Sequence, residues 1–328
     1  MFFYKSNNTN PYYNLALEDY IFNNINEEFL LCTRNEPSVL LGKNQNAYSE
    51  INLIYSKQSN VIIVRRTTGG EAIYQDTGTF NFSYMSVDKN NNVHDLSIIE
   101  KIMICFFKEK LALDIQLSVT GRIFLNKKIC GGYTKIKIGD KILLHGTLAF
   151  SSQKKYLVQA KKIKSENFLL QGNRYTTIDS NLADKISIET FEKIFLDYIR
   201  YLYPHAENYN FSKEEKTNIQ NLITEKYSTW DWIYGEIIDA NIIVKNNTIA
   251  GNIQIYLNVE NNMIKKINIY GDFFFSTDIS IIEKALINCK YEKLEIQRII
   301  SNYNIEDFIF HIDNDKFVDY FFQNKEKI

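Results

Sequence analysis

A run of four β-branched residues, Val61-Ile62-Ile63-Val64, leads without a break into Arg65-Arg66-Thr67-Thr68-Gly69-Gly70-Glu71. No other stretch constrains the fold as strongly. A short, wholly apolar, β-branched run is the pattern of a strand covered on both faces, so the chain has to place layers on either side of a sheet. Two arginines at the end of such a strand need an anion or a carboxylate for their charge. The glycine pair would let the backbone approach a ligand closely, and exposed N–H groups there would hold phosphate. The plainer reading is a tight β-turn whose arginines pair with structural acids. The loop fits neither the G-x-G-x-x-G pattern nor a Walker loop.

The covering layers are readable on either side. Asn10-Pro11 is a helix start, with Asn as cap and Pro pre-set for the first turn, and Tyr13, Leu17, Tyr20 and Ile21 follow at helical spacing. Ile98 to Leu113 and Glu189 to Tyr203 read as amphipathic helices, the second stopped by Pro204. Ala72–Gln75, an Asp76-Thr77-Gly78 turn and Phe80–Tyr84 suggest one hairpin. Ile136, Ile138, Ile142 and Leu144 around Gly139-Asp140 suggest another.

The last ninety or so residues have a different rhythm. Ile253, Ile255, Leu257 and Val259 alternate with polar residues, and Asn261-Asn262 turns into a second strand ending near Tyr270. Helical segments follow around 278–289 and 291–301. The chain has 328 residues, enough for about two domains at ~150 residues each. The expected architecture is mixed α+β, with a large domain over 1–240 and a small accessory domain over 246–328, the boundary lying near 236–246.

Charge excludes some partners. Lys and Arg number 38 against 39 Asp and Glu, which leaves no global field to draw the chain onto nucleic acid or an anionic membrane. The start, MFFYKSNNTN, lacks a signal-peptide pattern, and no apolar run is long enough to span a bilayer. Cys32, Cys105, Cys130 and Cys289 show no C-x-x-C spacing, which fits a cytoplasmic location. His94, His145, His205 and His311 show no metal-ligand spacing.

Two further segments carry candidate chemistry. Gly121-Arg122 is followed by Lys127-Lys128-Ile129-Cys130-Gly131-Gly132. A lysine just before a flexible glycine pair presents a compact cation to a phosphate or carboxylate, although a solvated hairpin has the same pattern. Cys130 is either a small semi-buried residue or a nucleophile with a lowered pKa. In Leu144-His145-Gly146-Thr147-Leu148, His145 is either an acid–base group or a hydrogen-bonded strand residue.

Taken in order, these motifs resemble the lipoate–protein ligases of the biotin/lipoate ligase superfamily. The resemblance begins at Tyr13-Asn14-Leu15-Ala16-Leu17-Glu18 and continues through Arg34 and Gly42…Gln45-Asn46. Arg65–Ile73 corresponds to the family's RRxSGGGAV loop, followed by Tyr74, Asp76 and Gly78. Gly121-Arg122…Lys127-Lys128-Ile129-Cys130-Gly131 and His145–Leu148 match its next two motifs. Arg174, Trp230-Asp231-Trp232 and Tyr270-Gly271-Asp272-Phe273-Phe274 match as well. No GRGRxG loop of the biotin ligases is present.

The resemblance implies ATP-dependent activation of lipoate as lipoyl-AMP, with Mg²⁺ accompanying ATP. Transfer would follow to a lysine of a lipoyl domain of a 2-oxoacid dehydrogenase E2 subunit or of a glycine-cleavage H protein. It implies Lys128 and Arg66 as catalytic cations. It implies binding by Leu17, Arg65, Thr67, Thr68, Gly69, Gly70, Glu71, Ala72, Ile73, Gly78, Thr79, Gly121, Arg122, Cys130, Gly131, His145, Gly146 and Thr147. The sequence departs from the pattern at Glu71, where the family has a third Gly, and at Gln75, where it often has His. Ile123-Phe124 also stand where it has Asn-Asp. These departures keep two alternatives open, a transferase using preformed lipoyl-AMP or a carrier-bound acyl group, and an inactive module that binds lipoyl domains.

Overall fold

The computed structural model describes residues 1–87, 97–118, 121–153, 174–236 and 239–327, with the side chains of 97–99 and 325–327 left aside. The chain forms two compact units. The first comprises Met1–Leu40, Ile51–Val64 and Ile73–Trp232. The second is discontinuous: Leu41–Glu50 and Arg65–Ala72 join Ile233–Ile328. The architecture is mixed α+β, as expected.

In the first unit, an eight-stranded mixed sheet is built from β1 (Phe2–Lys5), β2 (Phe29–Thr33), β6 (Thr79–Val87), β7 (Ile115–Leu117), β8 (Arg122–Leu125), β9 (Lys128–Ile138), β10 (Lys141–Ala149) and β11 (Glu207–Asn208). Their order across the sheet is β11-β1-β2-β6-β10-β9-β8-β7, parallel from β11 to β2 and antiparallel from there on. A separate three-stranded sheet contains β3 (Ser38–Leu41), β4 (Ile62–Arg65) and β5 (Ile73–Gln75), with β3 in the middle.

One face of the large sheet is covered by helices Ser97–Leu111 and Ile188–Leu202. Phe106, Phe107, Phe191, Phe195 and Tyr198 interlock there with Phe80, Phe82, Leu144 and Leu148. The other face carries the helix Pro11–Asn24 and the small sheet, around Leu17, Ile21, Leu31, Leu40, Val64, Met85 and Leu143. The Asn10 side chain caps Pro11–Asn24 by accepting from the N–H groups of Tyr12 and Tyr13, so the start of this helix follows the sequence reading.

The expected hairpin across Asp76-Thr77-Gly78 does not form. β5 pairs with β3, whereas β6 is flanked by β2 and β10 and has no edge left for β5. The turn instead carries the chain from one sheet to the other. Asp76 Oδ1 accepts from Gly78 N (3.0 Å) and Oδ2 accepts from Gln153 N (2.9 Å). The Gly139-Asp140 hairpin does form, between β9 and β10.

The second unit holds a four-stranded sheet of β12 (Ile242–Thr248), β13 (Gly251–Glu260), β14 (Met263–Gly271) and β15 (Lys325–Lys327), ordered β14-β13-β12-β15. Asn261 and Asn262, at φ 48° and 62°, make the tight turn between β13 and β14. Helices Ser280–Leu286, Lys293–Ile300 and Asn314–Tyr320 cover the sheet with a core of Ile253, Ile255, Leu257, Ile282, Ile296 and Phe317. Among the described residues, no helix is long and apolar enough to cross a membrane.

Candidate functional site

The residues singled out from sequence fall into two groups, one in each unit. In the second unit, the loop after β4 is held by its own arginines. Arg65, 6% exposed, donates from Nε and Nη2 to Ile233 O (3.0 and 2.6 Å). Its Nη1 reaches Gly42 O, Lys43 O and Gln45 O at 2.7 to 2.9 Å. Burial pushes its pKa down to about 10. Arg66 donates from Nη2 to Gly69 O (2.6 Å) and Glu71 O (3.0 Å), and from Nε to Thr68 Oγ1 (3.2 Å). Both guanidinium groups therefore meet backbone carbonyls of the loop and its neighbours. A fork of donors satisfies several carbonyls at once, and the positive charge stays in the loop.

The glycines of this loop are used for close packing. A methyl group on Gly69 would overlap the carbonyl oxygen of Phe273, and one on Gly42 would overlap that of Gly70. Gly70 has φ +94° and lies under the Phe274 ring. Lys43 N donates to Thr68 O (2.8 Å), and Gly271 N to Asn44 O (2.8 Å). Thr68 and Ala72 are fully buried, whereas Glu71 is exposed. The neighbouring carboxyl of Asp272 is shifted upward, mainly by burial and partly by the charge of Glu71.

In the first unit, Asn126 and Lys127 have φ 50° and 62° and form a tight turn between β8 and β9, which starts at Lys128. The Lys128 side chain is exposed. Immediately beside it, Ile129 N donates to Arg174 O (2.7 Å) and Thr176 N to Ile129 O (2.8 Å). Gly121, at φ +74°, leaves no room for a side chain against Tyr133 O. Gly131 does the same against Thr147 O, so β8, β9 and β10 lie close together here.

Cys130 is the extra residue of a bulge: Ile123 pairs with Gly131 and Phe124 with Ile129. Its side chain is 1% exposed within the core, and Sγ lies 3.6 Å from Ile123 O. Burial pushes the thiol up to about 12, opposite to what a nucleophile requires. The thiol-based reading is therefore corrected, because the side chain is enclosed in the core and its thiol is held in the protonated form. Leu17 is likewise wholly enclosed by its core. Gly78 is closed in by Ser151, whose carbonyl carbon would stand 2.7 Å from an added Cβ.

β10 carries the polar part of the sheet face beneath the helix Pro11–Asn24. His145 Nδ1 donates to Glu18, 3.0 Å from Oε1 and 3.1 Å from Oε2, and Ser83 Oγ donates to the same carboxylate. Thr147, cross-strand from Asn81, belongs to a second cluster around Gln75, while the Thr79 hydroxyl lies 3.5 Å from Asp76 Oδ1. The sequence motifs mark His145, Thr79 and Thr147, whereas Glu18, Ser83, Asn35 and Asn81 join these clusters only in the fold. Glu18 lay inside a quoted motif, while the amides carried no signal of their own. Arg34, quoted in the same comparison, bridges to Glu189 (2.8 Å) and Glu192 (3.1 Å) and braces the fold. Among the described residues, no group of three or more His, Cys, Asp or Glu side chains is placed to hold a metal ion.

Residues 10–200 match the family of the lipoyl protein ligase A/B catalytic domain, and residues 238–321 match the bacterial lipoate protein ligase C-terminus. Lipoate–protein ligase 1 of Staphylococcus aureus is 32% identical over 328 residues, covering 97% of this chain and 99% of the relative. Among solved structures, Plasmodium falciparum LipL1 in complex with lipoate superposes with a TM-score of 0.79 at 25% identity, covering 97% of both chains. A lipoate–protein ligase A bound with ATP shares the fold at a TM-score of 0.61 and 20% identity, covering 72% of this chain and 98% of the other.

Proposed function

This chain belongs to the lipoate–protein ligase family, and from that premise we infer that it joins lipoate to a protein lysine in two half-reactions. In the first, a carboxylate oxygen of lipoate attacks the α-phosphate of ATP, the bond to pyrophosphate breaks, and lipoyl-AMP forms. In the second, the lysine amine attacks the acyl carbonyl and AMP leaves. The observation that carries this reading is the end-to-end correspondence with a ligase, catalytic region and C-terminal region alike, in one chain. Both alternatives, transfer without activation and binding alone, lack that support.

The roles assigned to residues rest on their placement. Lys128, exposed at the start of β9, is suited to bridge the carboxylate and the α-phosphate, two anions that repel each other without a cation between them. Arg66 fixes the carbonyls of residues 69 and 71, which leaves the loop amides of 68–72 to bind phosphate, and its charge favours the anion. Arg65 and the glycines Gly69 and Gly70 hold that loop in shape. His145, Gly146 and Thr147 on β10, with Ile73, Gly78 and Thr79, would border the slot for the acyl chain. Arg122 and Gly121 would stand at its β8 side.

Mg²⁺ enters with ATP as the substrate complex. The acceptor is the lysine of a lipoyl domain of a 2-oxoacid dehydrogenase E2 subunit or of a glycine-cleavage H protein. The test is the mass of such a domain after incubation with the full chain, lipoate and Mg·ATP. A lipoyl adduct on one lysine, absent without ATP, is expected. An adduct that forms only when lipoyl-AMP is supplied favours the transferase alternative.

A further inference from the structure

A chain of hydrogen bonds runs through the first unit and ends on the sheet in a reciprocal amide pair. Ser6 Oγ donates to Asn14 Oδ1 (2.9 Å), and Asn14 Nδ2 to Asn35 Oδ1 (2.8 Å). Asn35 Nδ2 donates to Gln75 Oε1 (2.6 Å), and Gln75 Nε2 to both Asn81 Oδ1 and Thr147 Oγ1 (2.8 Å each). Asn81 Nδ2 returns one bond to Gln75 Oε1 (3.0 Å), and Thr147 Oγ1 donates to Asn81 Oδ1 (2.8 Å).

A primary amide has two N–H donors and an oxygen with two lone pairs. Gln75, 1% exposed, has both donors and both lone pairs engaged by Asn35, Asn81 and Thr147. An imidazole has only two ring nitrogens and could not replace it in this cluster. Asn81 has its oxygen doubly accepted and one N–H returned to Gln75. Its second N–H meets no acceptor among the described residues. Successive bonds in the chain polarise each other, so this terminal N–H is a strengthened donor.

The surroundings suit a ligand group. Asn81 and Thr147 are half-buried, on the sheet face that carries Ser83 and His145, and Met85 and Leu143 further along it are buried in the core under the helix Pro11–Asn24. Gly132 sits opposite Thr147, and among the described residues a methyl group there would meet one atom, Gly121 O, in a tight contact at 3.2 Å. A single neutral donor on a half-buried sheet face fits the oxygen of an acyl carboxyl group. A phosphate would call for several donors or a cation.

We propose that the Asn81 amide, oriented by Gln75, binds a carboxyl oxygen of the acyl substrate and sets its depth along β6 and β10. The proposal deepens the ligase reading and rests on it. Asn81 is the contact residue, and Gln75 is a positioning residue acting through it.

The test compares two probes by calorimetry on the full chain, lipoate and an alkyl dithiolane of equal chain length that lacks the carboxyl group. Asn81→Ala is expected to weaken lipoate binding about tenfold, the loss of one charge-assisted hydrogen bond, and to leave the alkyl dithiolane within twofold. Gln75→Met should show the same selective loss, and Asn81→Ser should recover part of it. Should Asn81→Ala fail to fold by circular dichroism, Asn81→Ser and Gln75→Met carry the comparison. Equal weakening of both probes, or of neither, overturns the proposal while leaving the ligase reading in place. Wild-type protein that binds neither probe overturns both.

Discussion

His145 and Glu18 are joined by a forked contact, Nδ1 lying 3.0 Å from Oε1 and 3.1 Å from Oε2, with Ser83 donating to the same carboxylate. The helix Pro11–Asn24 is thereby fastened to β6 and β10 through one buried acid. Glu18→Leu removes the acceptor for two buried donors and is expected to cost about 3 kcal/mol of stability. Ser83→Ala removes only one weaker partner and should cost about 1 kcal/mol. Denaturant unfolding of both variants checks the order.

Lys128 and Cys130 are two residues apart, one exposed and the other enclosed. Lys128→Ala is expected to lower lipoylation by at least about a hundredfold, in the range for loss of one preorganised charge at the reacting centre. Its circular dichroism should match the wild type. Cys130→Ser keeps a donor for Ile123 O and should retain activity within about threefold, with a stability loss near ~1 kcal/mol from the polar swap in the core. Initial rates of acceptor modification read both variants.

Gly69 leaves no room for a side chain against the Phe273 carbonyl, and Gly70 stands at φ +94°. Gly69→Ala has to displace the loop shaped by Arg66. Activation, measured as lipoate-dependent pyrophosphate exchange, should fall at least about tenfold through the misplaced loop. Gly139, at φ +62° but in open space, is the control. Gly139→Ala should cost about 1 kcal/mol of stability through its backbone conformation alone and spare the exchange rate.

Glu283 accepts from Ile269 N (2.6 Å) at the edge of the accessory sheet. Burial pushes its carboxyl up to about 7, with Asp278 adding to the rise while the Ile269 N–H and Lys284 oppose it. From the usual glutamate range up to about 7, the unfolded chain releases this proton more readily than the folded chain. Stability is therefore greater below that window and is lost as pH rises through it. Glu283→Gln removes the penalty. Its second unit should be more stable than wild type by about 1 to 3 kcal/mol near pH 8 and nearly equal to it near pH 4. Thermal unfolding across that range measures the difference.

Much of the fold was legible because local patterns and tertiary burial agree. Asn10-Pro11 caps a helix, and Gly139-Asp140 and Asn261-Asn262 turn between strands, as their residue types demand. The hairpin at Asp76–Gly78 misled because turn chemistry is local, whereas the partner of β6 is decided by which strands already occupy its two edges. Arg65 stood out as charged, yet its carbonyl partners come from segments far along the chain, such as Ile233. Cys130 read either as a small semi-buried residue or as a nucleophile, because the bulge that sets it in the core leaves no mark in one sequence. The Asn35, Gln75 and Asn81 cluster was unreadable for the same reason: an amide shows its role only through its neighbours.

Activation of lipoate by the full chain is the central step of the proposed reaction. Purified protein mixed with lipoate, Mg·ATP and an acceptor lipoyl domain should release pyrophosphate only when lipoate is present, in proportion to the acceptor lysines modified. Pyrophosphate release at background level, in protein that nevertheless modifies the acceptor from supplied lipoyl-AMP, would contradict it.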